Sequence, residues 1–208
     1  MGVDYAPFYC EENVLRLAAA RDRSTDWVVL LSNATRRIAL AGQRRGRDGD
    51  GIVVWDYHVI LVDRRGEGDA SSTKVIDQDS LLDQPVPVCR YVATTFPWPL
   101  YHTHPEYAPR FSLVTAPDYR RRFSSDRSHM RRPDGTWHSP PPHWPPTYDT
   151  TVGNTLFALC DGSDTGVTAS TDLLGFTTWA GCETWRASDG HRGSRYGQSS
   201  RAEMEQTD

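Results

Sequence analysis

Cys10 opens the segment CEENVLRLAAAR, His58 sits inside the apolar run IVVWDYHVILV, and Asp77 ends TKVID. A thiol, an imidazole and a carboxylate are the parts of a nucleophilic amide hydrolase. The thiol attacks a carbonyl carbon, the imidazole carries the proton, and the carboxylate holds the imidazole in one tautomer. A cysteine at the start of a helix has a reason to be reactive, because unpaired backbone amides and the helix dipole favour the thiolate. The same amides can hold an oxyanion. Spacing alone leaves alternatives open. Asp79 lies two residues beyond Asp77 and would face the same way, His129 is a second histidine, and most lone cysteines only pack.

The elements that would position these groups are legible. Residues 11 to 21 are good helix formers, with Val14, Leu15 and Ala18 on one face, Glu11 and Glu12 in the first turn and Arg21 in the last. WVVLL at 27 to 31 reads as a strand, with RIAL at 37 to 40 as a short partner. Ile52 to Val62 reads as one unbroken strand through the middle of a sheet. Alternation along it sets Val54, Asp56, His58, Ile60 and Val62 against Trp55, Tyr57, Val59 and Leu61. Thr73 to Asp77 completes a hairpin with it and would carry Asp77 toward His58. FSLVT at 111 to 115 is a further strand, and residues 117 to 123 form a short helix begun by Pro117. The proline-rich stretch from 124 to 146 excludes regular helix or strand and reads as an ordered wrapping loop, with Trp137 and Trp144 available for packing. We expect one catalytic domain over residues 1 to 186 and a disordered tail over 187 to 208.

The 208 residues are 38% hydrophobic and 24% charged, with a formal net charge of −4, so nothing points to nucleic acid as a partner. The chain shows neither an apolar run long enough for a membrane span nor a signal-peptide pattern, and the expected location is cytoplasmic and nuclear. Cys10, Cys89, Cys160 and Cys182 form no CxxC pair, which argues against a zinc site; all four are expected to be free thiols.

The blocks YCEEN at 9 to 13, LSN at 31 to 33, VVWDYHVIL at 53 to 61, IDQD at 76 to 79, FSSDRSHM at 123 to 130, and GTW followed by PPP at 135 to 142 resemble the protein N-terminal glutamine amidohydrolases of the N-degron pathway. The resemblance implies Cys10 as nucleophile, His58 as general base and Asp77 as orienting carboxylate. It further implies an α/β (α+β) fold of papain or transglutaminase type, with an antiparallel central sheet and the nucleophile at a helix N-terminus. A monomer without metal or organic cofactor is expected, acting on proteins or peptides with a free N-terminal glutamine. A functional link to arginyltransferase and an N-degron ubiquitin ligase follows from the same resemblance. Reading the substrate's α-ammonium needs an acidic group, for which Glu11, Asp56 and Asp126 are candidates, while Trp55 and Tyr57 are candidates to line the pocket. Residues 147 to 170 and the chain after Trp179 depart from the family pattern. A protease or transglutaminase of the same architecture, or an inactive module that binds N-termini, are the competing readings.

Overall fold

A computed structural model of the chain describes residues 4–46, 51–66 and 72–182. The helix α1 (Cys10–Arg21) begins with Cys10 as its first residue. No side chain caps it. The approach is held instead by Asn13, whose side chain accepts from the Ala6 amide and donates to the Ala6 carbonyl, at 2.9 and 2.7 Å.

Strand β1 (Asp26–Ser32) lies between β4 (His58–Asp63) and β7 (Arg110–Thr115), paired antiparallel with both. With β5 (Lys74–Ile76), β6 (Val86–Pro87) and β8 (Ala169–Thr171), they form an antiparallel sheet in the order β6-β5-β4-β1-β7-β8. Both faces of this sheet are covered, which is why β1 and β4 are apolar without interruption. On one face Val28, Leu30, Val59 and Leu61 pack with α1, α4 (Ala116–Arg122) and α5 (Leu156–Asp161). On the other, Val29, Leu31, Ile60 and Val62 meet α2 (Val88–Thr95), α6 (Leu173–Trp179) and Tyr101 of α3 (Trp98–Thr103). Helix α4 starts as expected, with Pro117 in its first turn and Thr115 accepting from the Asp118 amide.

Three expectations need correction. The run from Ile52 to Val62 is two strands, β3 (Val53–Trp55) and β4, because the chain breaks at Asp56 and Tyr57. Asp56 Oδ1 accepts the Tyr57 amide at 3.0 Å and the Asp56 carbonyl accepts from Ser32 Oγ of β1 at 2.8 Å, one local bond and one long-range bond that compete with a strand ladder. As a result Trp55 lies with Ile60 and Val62, not with Tyr57, Val59 and Leu61. The second correction concerns β2 (Ile38–Leu40), which pairs with β3 in a separate two-stranded sheet and not with β1. Third, Cys89 in the first turn of α2 is bonded to Cys182, just beyond α6, so only Cys10 and Cys160 are free thiols. Those two helices meet on one face of the sheet, a proximity that the separation of 93 residues conceals.

The hairpin β4 to β5 forms as expected, pairing Leu61 with Ile76 and Val62 with Val75. Residues 124 to 146 contain a short 3-10 turn (Ser128–Met130) and one isolated antiparallel bridge, Arg131 with Trp137, and Trp144 is buried. The expected tail from residue 187 lies outside the described residues. Among the described residues no helix is long and apolar enough to cross a membrane.

Candidate active site

Cys10, His58 and Asp77 come from the start of α1, the start of β4 and the residue after β5, and all three are buried. The hairpin register brings His58 Nε2 to 2.9 Å from Asp77 Oδ1. Asp77 is further held by Tyr91 of α2, whose hydroxyl donates to Oδ2 at 2.9 Å, by Gln43 Nε2 at 3.4 Å, and by the Asp79 amide, which donates to Oδ1 at 3.0 Å. Burial disfavours the Asp77 carboxylate, but the His58 charge and these hydrogen bonds outweigh it and its pKa falls below the ordinary value. Burial likewise disfavours the imidazolium of His58, and the Asp77 charge and hydrogen bond reverse the sign, so the His58 pKa is raised. With Nε2 engaged, His58 Nδ1 is buried and has no hydrogen-bond partner. Trp55 stacks on the ring, centroids 5.4 Å apart.

Asp79, the alternative partner for His58, instead accepts from the Tyr5 hydroxyl. Among the described residues, His58, Asp77 and Asp79 are the one group spaced to share a cation, with ligand atoms within 4.8 Å of one another. The direct bond between His58 and Asp77 already uses Nε2, so this is the geometry of an oriented imidazole.

Cys10 Sγ lies 3.8 Å from Glu11 Oε2, and the backbone amide of Val59, the residue that follows His58, is near enough to favour the thiolate. The expectation of a thiolate favoured by the helix start is overridden here. Burial, then the charges of Glu11 and Asp79, push the thiol pKa well up, and the Val59 amide opposes them only in part. The resting side chain is a neutral thiol that needs a base.

The two glutamates after Cys10 have different surroundings. Glu12 is held by Arg127, Nε to Oε1 at 2.6 Å and a terminal guanidinium nitrogen to Oε2 at 2.7 Å, and by Trp144 Nε1 at 2.6 Å. Arg127 has a left-handed backbone, φ 64°, fixed by the Ser125 hydroxyl accepting its amide. This ion pair fastens the wrapping loop to α1. Glu11 Oε2 accepts from the Tyr57 hydroxyl at 2.9 Å, and that hydroxyl also lies 3.0 Å from His129 Nε2. Asp56 is exposed, its carboxylate turned to its neighbour's amide. Asp126 is half-buried and accepts the Ser128 amide at 2.8 Å inside its own loop. The sequence reading missed Tyr91 and Gln43, because no pattern marks residues that reach a carboxylate from distant parts of the chain, Tyr91 from α2 and Gln43 from the loop after β2. A cavity of about 410 Å³ lies away from the sulfur and the imidazole, lined by Arg21, Arg23, Asp63, Arg65 and Lys74 among others.

A thiol at the start of a helix, beside a strand whose imidazole is oriented by a buried carboxylate, is the equipment of a thiol-dependent amide hydrolase. The family described as N-terminal glutamine amidase matches residues 5–173. The protein N-terminal glutamine amidohydrolase of Arabidopsis thaliana is 40% identical over 150 residues, 68% of this chain and 67% of that protein. The protein of the same name from Drosophila pseudoobscura pseudoobscura is 39% identical over 153 residues, 71% of this chain and 73% of its own length. That of Drosophila melanogaster is 39% identical over 148 residues, 68% and 70%. The chain belongs to the N-terminal glutamine amidase family.

Proposed function

We propose that this protein hydrolyses the side-chain carboxamide of an N-terminal glutamine, giving N-terminal glutamate and ammonia, with Cys10 as nucleophile, His58 as base and acid, and Asp77 as orienting carboxylate. The observation that carries the assignment is the His58 ring. Its Nε2 is bound to Asp77, and its buried Nδ1 has no partner, which leaves that nitrogen to take a proton from Cys10. The Cys10 proton passes to His58 Nδ1 as sulfur bonds to the carboxamide carbon. Backbone amides beside Cys10 hold the oxyanion, and the imidazolium protonates the amino group of the tetrahedral intermediate, which leaves as ammonia. Water, deprotonated by His58, then cleaves the glutamyl thioester and restores the thiol. No residue changes oxidation state, and no cofactor is needed.

The names of the relatives support the substrate. The helix led by the nucleophile and packed on an antiparallel sheet supports a fold of papain or transglutaminase type, within one catalytic domain over residues 1 to 186. A monomer acting in cytosol and nucleus fits this reading. Its product, an N-terminal glutamate, is the group that an arginyltransferase of the N-degron pathway would take up, ahead of a ubiquitin ligase.

Peptides beginning Gln, Asn, acetyl-Gln and Gly-Gln test the proposal, followed by ammonia release. Turnover of the free Gln peptide by the wild type, abolished in Cys10→Ala, is the expected result. Cleavage or crosslinking of internal sites would replace it with a protease or transglutaminase activity, and a folded protein that turns over no peptide would leave a binding module.

A further inference from the structure

Of the two adjacent glutamates at the start of α1, one is matched and one is not. Glu12 has Arg127. Glu11, fully buried, has no arginine or lysine within ion-pair distance among the described residues. Its nearest basic group is His129 Nε2, 3.7 Å from Oε1, and burial lowers the pKa of His129, so that ring is neutral at neutral pH. Oε2 receives the Tyr57 hydroxyl and the Cys10 thiol, whereas Oε1 is buried with no hydrogen-bond partner. Burial raises the Glu11 pKa to about 8, so the free protein keeps this group protonated at neutral pH, and its ionised form calls for a cationic donor at Oε1. A compact ammonium is such a donor, and at this glutamate it sits within reach of Cys10 Sγ.

We infer that Glu11 is the receptor for the α-ammonium of the substrate, and that the nitrogen anchored at Oε1 fixes which side-chain length brings a carboxamide to Cys10. The inference rests on the proposed activity and deepens it. Two selectivities follow from one contact. An acylated or otherwise uncharged N-terminus leaves Oε1 unsatisfied and is rejected. In glutamine the carboxamide carbon is four bonds from the α-nitrogen, in asparagine three, so a nitrogen held at one point beside the sulfur places only the longer side chain in register. The contact also acts on the nucleophile. An ionised Glu11 is the largest charge working against the Cys10 thiolate, and the ammonium that favours its ionisation also offsets that charge when substrate arrives. Asp56 and Asp126 each accept a backbone amide of their own turn, and neither is fully buried as Glu11 is.

The test compares wild type, Glu11→Gln and Glu11→Asp on two peptides that differ only at the first nitrogen, a free Gln peptide and its desamino analogue. For Glu11→Gln, kcat/KM on the free peptide should fall about 30-fold or more, mainly through KM, and the ratio of free-peptide to desamino turnover should collapse by a comparable factor. Glu11→Asp keeps the charge and should keep the preference for the free amine at reduced turnover. Thermal melts establish that each variant is folded. An equal loss on both peptides, or an unaltered preference in Glu11→Gln, overturns the inference while the activity stands. Failure of the wild type on the free Gln peptide removes the activity itself.

Discussion

Replacing Glu12 by Gln should cost the protein a large part of its stability. The Arg127 guanidinium and the Glu12 carboxylate are 5% and 1% exposed, joined by two hydrogen bonds of 2.6 and 2.7 Å, and Trp144 Nε1 adds a third donor at 2.6 Å. Arg127 also donates to the Trp144 carbonyl at 2.8 Å. A carboxamide in place of the carboxylate turns one acceptor oxygen into a donor and leaves a guanidinium buried without its counter-charge. Breaking such a pair from one side costs about 3 to 5 kcal/mol. For a chain of this size that corresponds to a fall in Tm of about 6 to 20 °C. Urea denaturation with linear extrapolation measures the loss, and a cycle with Arg127→Met and the double variant Glu12→Met/Arg127→Met separates pairing from packing. The double variant buries no unpaired charge and should lose less than the sum of the singles. A loss below about 1 kcal/mol for Glu12→Gln, or strict additivity in the cycle, refutes the view that this ion pair holds the loop to α1.

Tyr91→Phe removes one of the donors to Asp77 Oδ2, a bond to a charged group worth about 1.5 to 3 kcal/mol, and should lower kcat about tenfold with KM nearly unchanged in steady-state assays. Burial raises the Glu11 pKa to about 8, from an ordinary value of about 4.3, so the folded state retains a proton that the unfolded state releases. Glu11 therefore costs stability increasingly as pH rises between these values; melts at pH 5 and pH 9 should show Glu11→Gln gaining on wild type only at the alkaline end. For Asp63, burial is outweighed by hydrogen bonds from Arg65 and Thr25 and by the charges of Arg65 and Arg21, and its pKa is lowered. That stabilisation is present at neutral pH and is lost as pH falls through the folded pKa. Asp63→Asn should thus cost about 2 kcal/mol at pH 7 and little at pH 3 by urea denaturation.

The parts of this fold that were readable in advance are those governed by local pattern. Helix formers with acids first and an arginine last gave α1 to within one residue, and the continuous apolar run at 27 to 31 gave β1. The hairpin that joins His58 to Asp77 followed from two strand-like runs around a glycine-rich connection. What stayed hidden depends on long-range contact. The break at Asp56 is made by a hydroxyl on another strand, Ser32, so alternation predicted the face of Ile60 correctly and that of Trp55 wrongly. Residues 81 to 109 and 147 to 182 carry weak periodicity, yet they supply α2, α3, α5, α6 and the outer strands. The reading of Glu11 as a first-turn acid was right in position and silent about burial, because Glu11 and Glu12 are indistinguishable until Arg127 chooses one of them.

The position of β1 has a consequence for how the chain comes together. Its inner partner β4 follows within the first third of the sequence, but its other partner, β7, begins only at Arg110. Until that segment reaches it, the strand DWVVLLS presents an apolar edge with open amides and carbonyls, the kind of surface that recruits other chains. Pairing over so long a loop is slow to nucleate. A chain in which β4 has paired with β1 before β7 arrives therefore carries that edge uncovered, and this form is more exposed to aggregation than the native state.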